Sequence, residues 1–329
     1  MRILYLIQSF IPKEKQQDYF SVLTKTIDSV KNQRLASADS FDIALCDDGS
    51  DYLAKYATDK ITLFGDKELN SINELISLDL KYLALISNSV YYNKGALFNF
   101  VLQRIGKDYD IIFVLDDDHP FFYNDSLERV IKHFKRGFNF VVGRLYFPKE
   151  DKFRCYYDNA VQGTTFAISY DLLKKVDFWS DNVKEWGCGE DSEIFWKVYN
   201  YFFNYHSVMA IYDGNIITED CISDRWLYCM TNVGGRENFK ISFKNIYGVD
   251  PHQNEARNKK SWLKLARNEV IKLPELFFLF LKKSEYEKAL NSKIREKIYY
   301  FIWVLKSIKY IFAKKIRNVL RGVINANNR

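Results

Sequence analysis

The sequence predicts an α/β domain, a mostly parallel central sheet flanked by helices, followed by a C-terminal helical extension. Three observations lead there. Through the first 120 residues, short apolar runs alternate with longer amphipathic ones, as strands do with the helices that cover them. Two of the four early apolar runs end in clusters of carboxylates, and strand ends are where open α/β sheets collect ligands. The charge divides near residue 255: residues 256–329 hold 19 Lys/Arg against 5 Asp/Glu, or +14, so the overall +6 leaves −8 on the remainder. Two units are therefore expected, a catalytic-type domain over residues 1–250 and a basic amphipathic helical region over 251–329.

The elements follow in order. Residues 3–7 read as a strand, because their apolar run is too short and too soon polar for a secretory segment, and the chain is expected to be cytoplasmic. Residues 20–31 carry Val22, Leu23, Ile27 and Val30 at near-helical spacing, and residues 96–105 carry Leu97, Val101 and Ile105 four apart; both predict helices against the sheet. Further strands are expected at 41–46, 82–87 and 111–115. Beyond them come a helix at 126–136, strands at 140–145 and 163–169, and a helix from about 190 to 199.

At 329 residues the chain can bury a large core, and the 17% aromatic content, mostly Phe and Tyr, suits both a core and sugar-stacking surfaces. The five cysteines are scattered without a CxxC pair, which indicates neither a disulfide framework nor a zinc site and fits a reducing compartment. No run reaches the roughly 18 apolar residues that a spanning helix requires.

Four motifs could carry chemistry. Asp116, Asp117 and Asp118, followed by His119, close the apolar run Ile-Ile-Phe-Val-Leu. Like charges so close repel, and a divalent cation is the simplest way to hold them ionised together. Oxygen ligands favour Mg²⁺ or Mn²⁺, and the imidazole tilts the choice toward Mn²⁺. Asp47-Asp48-Gly49-Ser50 closes the strand at 41–46 and serves equally as turn chemistry or as a site. Lys94-Gly95 with Asn99 opens a helix, either as a plain helix start or as a cation and helix N-terminus near phosphate. Trp186-Gly187-Cys188-Gly189-Glu190-Asp191 combines a flat apolar ring with two carboxylates at a helix start. A sugar site needs an aromatic beside a carboxylate, for stacking and for taking a hydroxyl proton, and the same motif also reads as a capped helix with a structural Trp.

Taken together and in this order, these pieces over residues 3–199 resemble the family 2 glycosyltransferases, whose fold is GT-A. The last motif is similar to segments of chondroitin-polymerase, polypeptide N-acetylgalactosaminyltransferase and β-1,4-galactosyltransferase domains. The resemblance implies that Asp47 or Asp48 contacts the nucleobase of a nucleotide-sugar donor, most often a UDP-sugar. Lys94, Asn99, Asp116 and Asp117 would complete the donor side, and Asp116 with Asp118 would match the Asp-x-Asp at the ribose and metal-bound diphosphate. Asp191 would be the base of an inverting displacement and Glu190 would bind acceptor hydroxyls or orient the site, while Trp186, Gly163 and Thr164 would line the acceptor pocket. The metal motif can be phased as Asp116/Asp118 or as Asp117/His119, and a third ligand would be His206, Asp213 or Asp224. The first strand departs from the family's Pro-Thr-x-Asn ending and carries Gln8-Ser9-Phe10-Ile11-Pro12.

The C-terminal region places Leu305, Ile308, Phe312, Ile316 and Leu320 three or four apart, with Lys306, Lys309, Lys314, Lys315, Arg317 and Arg321 at other angles. It reads as an interfacial helix for an anionic membrane surface or as a hairpin packed on the protein. Nucleic acid is not an expected partner, because the body is acidic and holds no recognised module. The expected activity is sugar transfer from a nucleotide-sugar to a glycan or lipid-linked acceptor in bacterial surface-polysaccharide synthesis. The alternatives are a catalytically silent membrane-associated scaffold and a sugar-nucleotide nucleotidyltransferase. The second would need a Gly-rich basic loop after strand one, where residues 8–15 hold no glycine.

Overall fold

The computed structural model describes residues 1–11, 13, 16–65, 68–69, 78, 80–87, 94–153, 165–180, 193–195, 197–198, 201, 210–222, 241 and 244–246. Its strands are β1 (Arg2–Ser9), β2 (Ser40–Asp47), β3 (Ile61–Phe64), β4 (Tyr82–Ile86), β5 (Ile111–Asp116), β6 (Phe140–Phe147), β7 (Lys152–Phe153), β8 (Phe166–Ser169) and β9 (Ala210–Glu219). The helices are α1 (Gln16–Lys31), α2 (Asp51–Ala54), α3 (Lys94–Ile105), α4 (Ser126–Lys135) and α5 (Tyr170–Lys175).

All the strands join one sheet in the order β3-β4-β2-β1-β5-β8-β6-β7, with β9 also on β6. β1 lies between β2 and β5 and is parallel to both, and β4 extends this parallel block beyond β2. β3 and β8 run against their neighbours, and β9 runs parallel to β6. The central strands are apolar along nearly their whole length because both faces are covered, as parallel sheets require.

Side chains alternate between two cores. Leu4 and Leu6 of β1, Ala44 and Cys46 of β2, and Ile112 and Val114 of β5 pack with Leu97, Phe98, Val101 and Leu102 of α3 and Leu172 and Leu173 of α5. Ile3, Tyr5 and Ile7, with Ile43, Leu45, Ile111, Phe113 and Leu115, face α1 through Leu23, Ile27 and Val30 and α4 through Leu127, Val130, Ile131 and Phe134. Each Val, Leu, Ile or Phe side chain among them contributes roughly 1.5–3 kcal/mol on full burial.

The strands and helices expected through residue 145 are present; the strand at 82–87 and the helix at 126–136 each stop one residue short, and the others are longer by one to four residues at an end. Five of the labelled elements go beyond the expectation: β3, β7, β9, α2 and α5. β3 is a half-buried edge strand, and β9 is a ten-residue strand whose ladder with β6 shifts register between Val142 and Arg144. Residues 163 and 164 of the expected strand at 163–169 lie outside the described residues, as does residue 190. Residues 193–195 of the expected following helix are helical. No helix among the described residues is long and apolar enough to cross a membrane. The basic region 251–329 lies outside the described residues.

Candidate active site at three parallel strand ends

Ser9 of β1 pairs with Asp47 of β2, and Gln8 pairs with Asp116 of β5, so three adjacent parallel strands end at one level. The acidic loops that follow are tied to the exit of β1. Asp48 N–H donates to the Ser9 carbonyl (2.8 Å) and Asp117 N–H to the Gln8 carbonyl (3.0 Å). Side chains complete the link, as Phe10 N–H donates to Asp117 Oδ2 (3.3 Å) and Ile11 N–H to Ser50 Oγ (2.8 Å).

Asp47-Asp48-Gly49-Ser50 forms a tight turn. Asp47 accepts from Ser50 N–H (2.8 Å) and Ser50 Oγ–H (2.6 Å), and Gly49 sits at φ 85°, a conformation that glycine adopts without steric cost. Asp47 is fully buried, and burial pushes its carboxyl up to about 6 against the opposing hydrogen bonds from Ser50. Of the two residues expected at the nucleobase, Asp47 is thus engaged by its own turn. Asp48, also buried, is the next residue beyond it.

After β5, Asp116, Asp118 and His119 bring one ligand atom each within 4.8 Å of one another. His119 Nδ1 lies 3.7 Å from Asp116 Oδ2, and its Nε2 lies 3.7 Å from Asp118 Oδ1. Burial holds the Asp118 carboxyl well above the usual carboxylate range, and the charges of Asp116 and Asp220 push the same way. A buried carboxylate and a half-buried one, mutually repelling and beside a buried imidazole, fit a divalent cation of the Mn²⁺ or Mg²⁺ type. Both phasings of the motif contribute to this group, except that Asp117 is absent from it and binds the β1 exit instead.

Lys94 reaches this cluster from the first residue of α3. One reading of its motif puts it near phosphate; here its ammonium lies 3.0 Å from Asp116 Oδ1, with both side chains largely buried. Asn99 takes a different part from the expected donor contact: its Nδ2–H donates to the Trp179 carbonyl (2.8 Å) and its Oδ1 accepts from Trp179 N–H (3.2 Å). Both ends of the amide are engaged by a buried backbone segment. Asp213, one of three expected third ligands, lies away from the cluster, 2.7 Å from His133 Nε2 on α4. Burial alone would raise its carboxyl, but the hydrogen bond and charge of His133 bring it below the usual range.

The loop after β5 is also stitched to the end of β9. Cys221 N–H donates to the Asp118 carbonyl (3.1 Å), Glu219 N–H to that of Pro120 (2.9 Å), and Phe122 N–H to that of Ile217 (2.9 Å). This brings Asp220 close enough to act on Asp118, a neighbour that the motifs alone do not reveal. A signal for it exists in the sequence: Ile216-Ile217-Thr218 runs into Glu219-Asp220, a third strand ending in acid. Gly163, Thr164, Trp186, Glu190, Asp191, His206 and Asp224 lie outside the described residues.

Residues 17–189, just over half of the chain, match the family model for glycosyl transferase family 2. The chain belongs to that family. Its mixed sheet with helices on both faces is the GT-A architecture that membership implies. No curated protein matches this family member. Among solved structures it is similar to S. aureus TarS, at 13% identity and a TM-score of 0.46, over 94% of this chain and 49% of that one. This family member therefore spans about half the length of that TarS chain. A crystal structure of S. aureus TarS 1–349 in complex with UDP aligns at 11% identity and a TM-score of 0.47, covering 94% and 89% of the two chains. The complex of the same piece with UDP-GlcNAc gives 10% and 0.45 over the same shares.

Proposed function

We propose that the chain is a metal-dependent, inverting glycosyltransferase that moves a sugar from a nucleotide-sugar donor, read as a UDP-sugar, to a hydroxyl of a glycan or lipid-linked glycan. The observation that carries this reading is the cluster of Asp116, Asp118 and His119 at the carboxyl end of β5, level with the ends of its parallel neighbours β1 and β2. Family membership supports the same reaction class.

These three residues would hold Mn²⁺ or Mg²⁺, and the bound ion supplies neutralisation of a departing diphosphate. Lys94 adds a fixed positive charge against Asp116, and Asp48 and Asp117 edge the nucleoside side of the same strand ends. Asp191 takes the proton of the acceptor hydroxyl as its oxygen bonds to the anomeric carbon and the bond from that carbon to the diphosphate oxygen breaks. Glu190, Trp186, Gly163 and Thr164 bind the acceptor. The chain works in bacterial surface-polysaccharide synthesis in the cytoplasm, with residues 251–329 meeting the anionic inner face of the membrane.

The test is donor hydrolysis and transfer with a panel of nucleotide-sugars, with and without Mn²⁺. Activity should require the metal, vanish in Asp118→Ala and fall severely in Asp191→Asn. Undiminished transfer by either variant would refute the corresponding role.

A further inference from the structure

Gln8 stands where this site meets the first strand, at the start of the segment that departs from the family's Pro-Thr-x-Asn ending and outside the four motifs that could carry chemistry. Along β1, Leu4 and Leu6 face the core shared with α3, and Gln8 continues their alternation onto that face. Asp116 continues Ile112 and Val114 in the same way on β5, and it is Gln8's register partner. Parallel neighbours in register lie roughly 4.8 Å apart and turn their side chains to one face. Cys46 flanks Gln8 on the β2 side, and Lys94 reaches Asp116 from α3 above. The Gln8 carboxamide is therefore central to the row of strand ends that carries the acidic cluster.

Gln8 is 3% exposed, and its Oε1 is buried with no hydrogen-bond partner among the described residues. A buried amide oxygen without a donor is costly, and an apolar side chain of the same size would remove that cost. Every residue of β1 from Ile3 to Ile7 is apolar or aromatic and fully buried, so the fold itself has no need of an amide there.

We propose that Gln8 is a specificity-determining residue for the donor: its Oε1 accepts a hydrogen bond from one N–H or O–H of the bound nucleoside. This rests on the transferase reading above. The group is either an imide N–H of the base or a ribose hydroxyl, and both present the same donor chemistry to an acceptor-only oxygen.

The experiment measures binding of UDP, CDP, 2′-deoxy-UDP and 3′-deoxy-UDP to the full chain and to Gln8→Met, with Mn²⁺ present, alongside thermal unfolding without nucleotide. The variant should unfold at the same or a higher temperature, because the unpartnered amide is gone. Its affinity for UDP should fall roughly tenfold, the worth of one hydrogen bond. One analogue should bind variant and wild type alike, which identifies the group: CDP lacks the imide N–H, and the deoxy nucleotides lack one hydroxyl each. A UDP affinity within about twofold of wild type overturns the proposal, as does equal weakening of every analogue. A fall in unfolding temperature overturns it too, since that is the mark of a structural amide. If the wild type binds none of these nucleotides, the transferase reading fails and takes this one with it; wild-type binding with an unaffected variant overturns this one alone.

Discussion

Replacing Asp47 with Asn separates the cost of a buried charge from the value of a turn. The Asp47 carboxyl is raised from 3.8 to about 6, chiefly by burial and in spite of two hydrogen bonds from Ser50. A raised carboxyl contributes stability that is fully present below its unfolded value and is lost as pH rises through its folded value. The gap between those two values corresponds to roughly 3 kcal/mol lost by the wild type across that window, of which about 2 kcal/mol develops between about pH 4.5 and 8. Asn carries no charge and loses none of this. It does cost part of the turn: Oδ1 still accepts from Ser50 N–H, but Nδ2 now meets Ser50 Oγ, which already accepts from Ile11 N–H. The serine proton is left to find another partner, at about 1 kcal/mol. Asp47→Asn should therefore be about as stable as wild type or slightly weaker near pH 4.5, and more stable near pH 8. The assay is urea denaturation of both proteins at several pH values, taking the difference so that other titrating groups cancel. A stability difference that stays flat across this range would refute the burial argument.

Two other perturbations can be read directly. Mn²⁺ at about a hundredfold over its dissociation constant should add about 2.7 kcal/mol, or a rise of roughly 4 °C in unfolding temperature for a chain of this size. Asp118→Asn should lose most of that rise in a thermal scan, and an unchanged rise would place the ion elsewhere. Asn99→Ala should destabilise by about 3 kcal/mol in urea denaturation, because the Trp179 carbonyl and N–H lose their partner together. A cost under about 0.5 kcal/mol would show that water replaces the amide without penalty.

Much of the fold was legible because its signals are local. The runs at 3–7, 41–46, 82–87 and 111–115 are apolar on both faces of a covered parallel sheet, and the helical spacing in α1, α3 and α4 marks the faces that cover them. β3 carries a weak signal because it is a short, half-buried edge strand, and β9 because Asp213-Gly214-Asn215 interrupts its apolar pattern, where the ladder with β6 shifts. Asn99 shows the limit on the chemical side. An Asn near a helix start suits a ligand or a backbone clamp equally well, and its partner lies 80 residues away.

The sequence by itself determined the α/β class, the family and the placement of carboxylates at strand ends, since apolar periodicity and the residues that break it are properties of neighbouring positions. Only the tertiary structure decided which carboxylates act together. It turned Asp117 toward Phe10, brought Lys94 onto Asp116 and Asp220 beside Asp118, and paired Asp213 with His133. Those outcomes depend on strand register and on contacts between residues many tens of positions apart. No short-range pattern encodes them, because the hydrogen bonds that set the register form only when the strands meet.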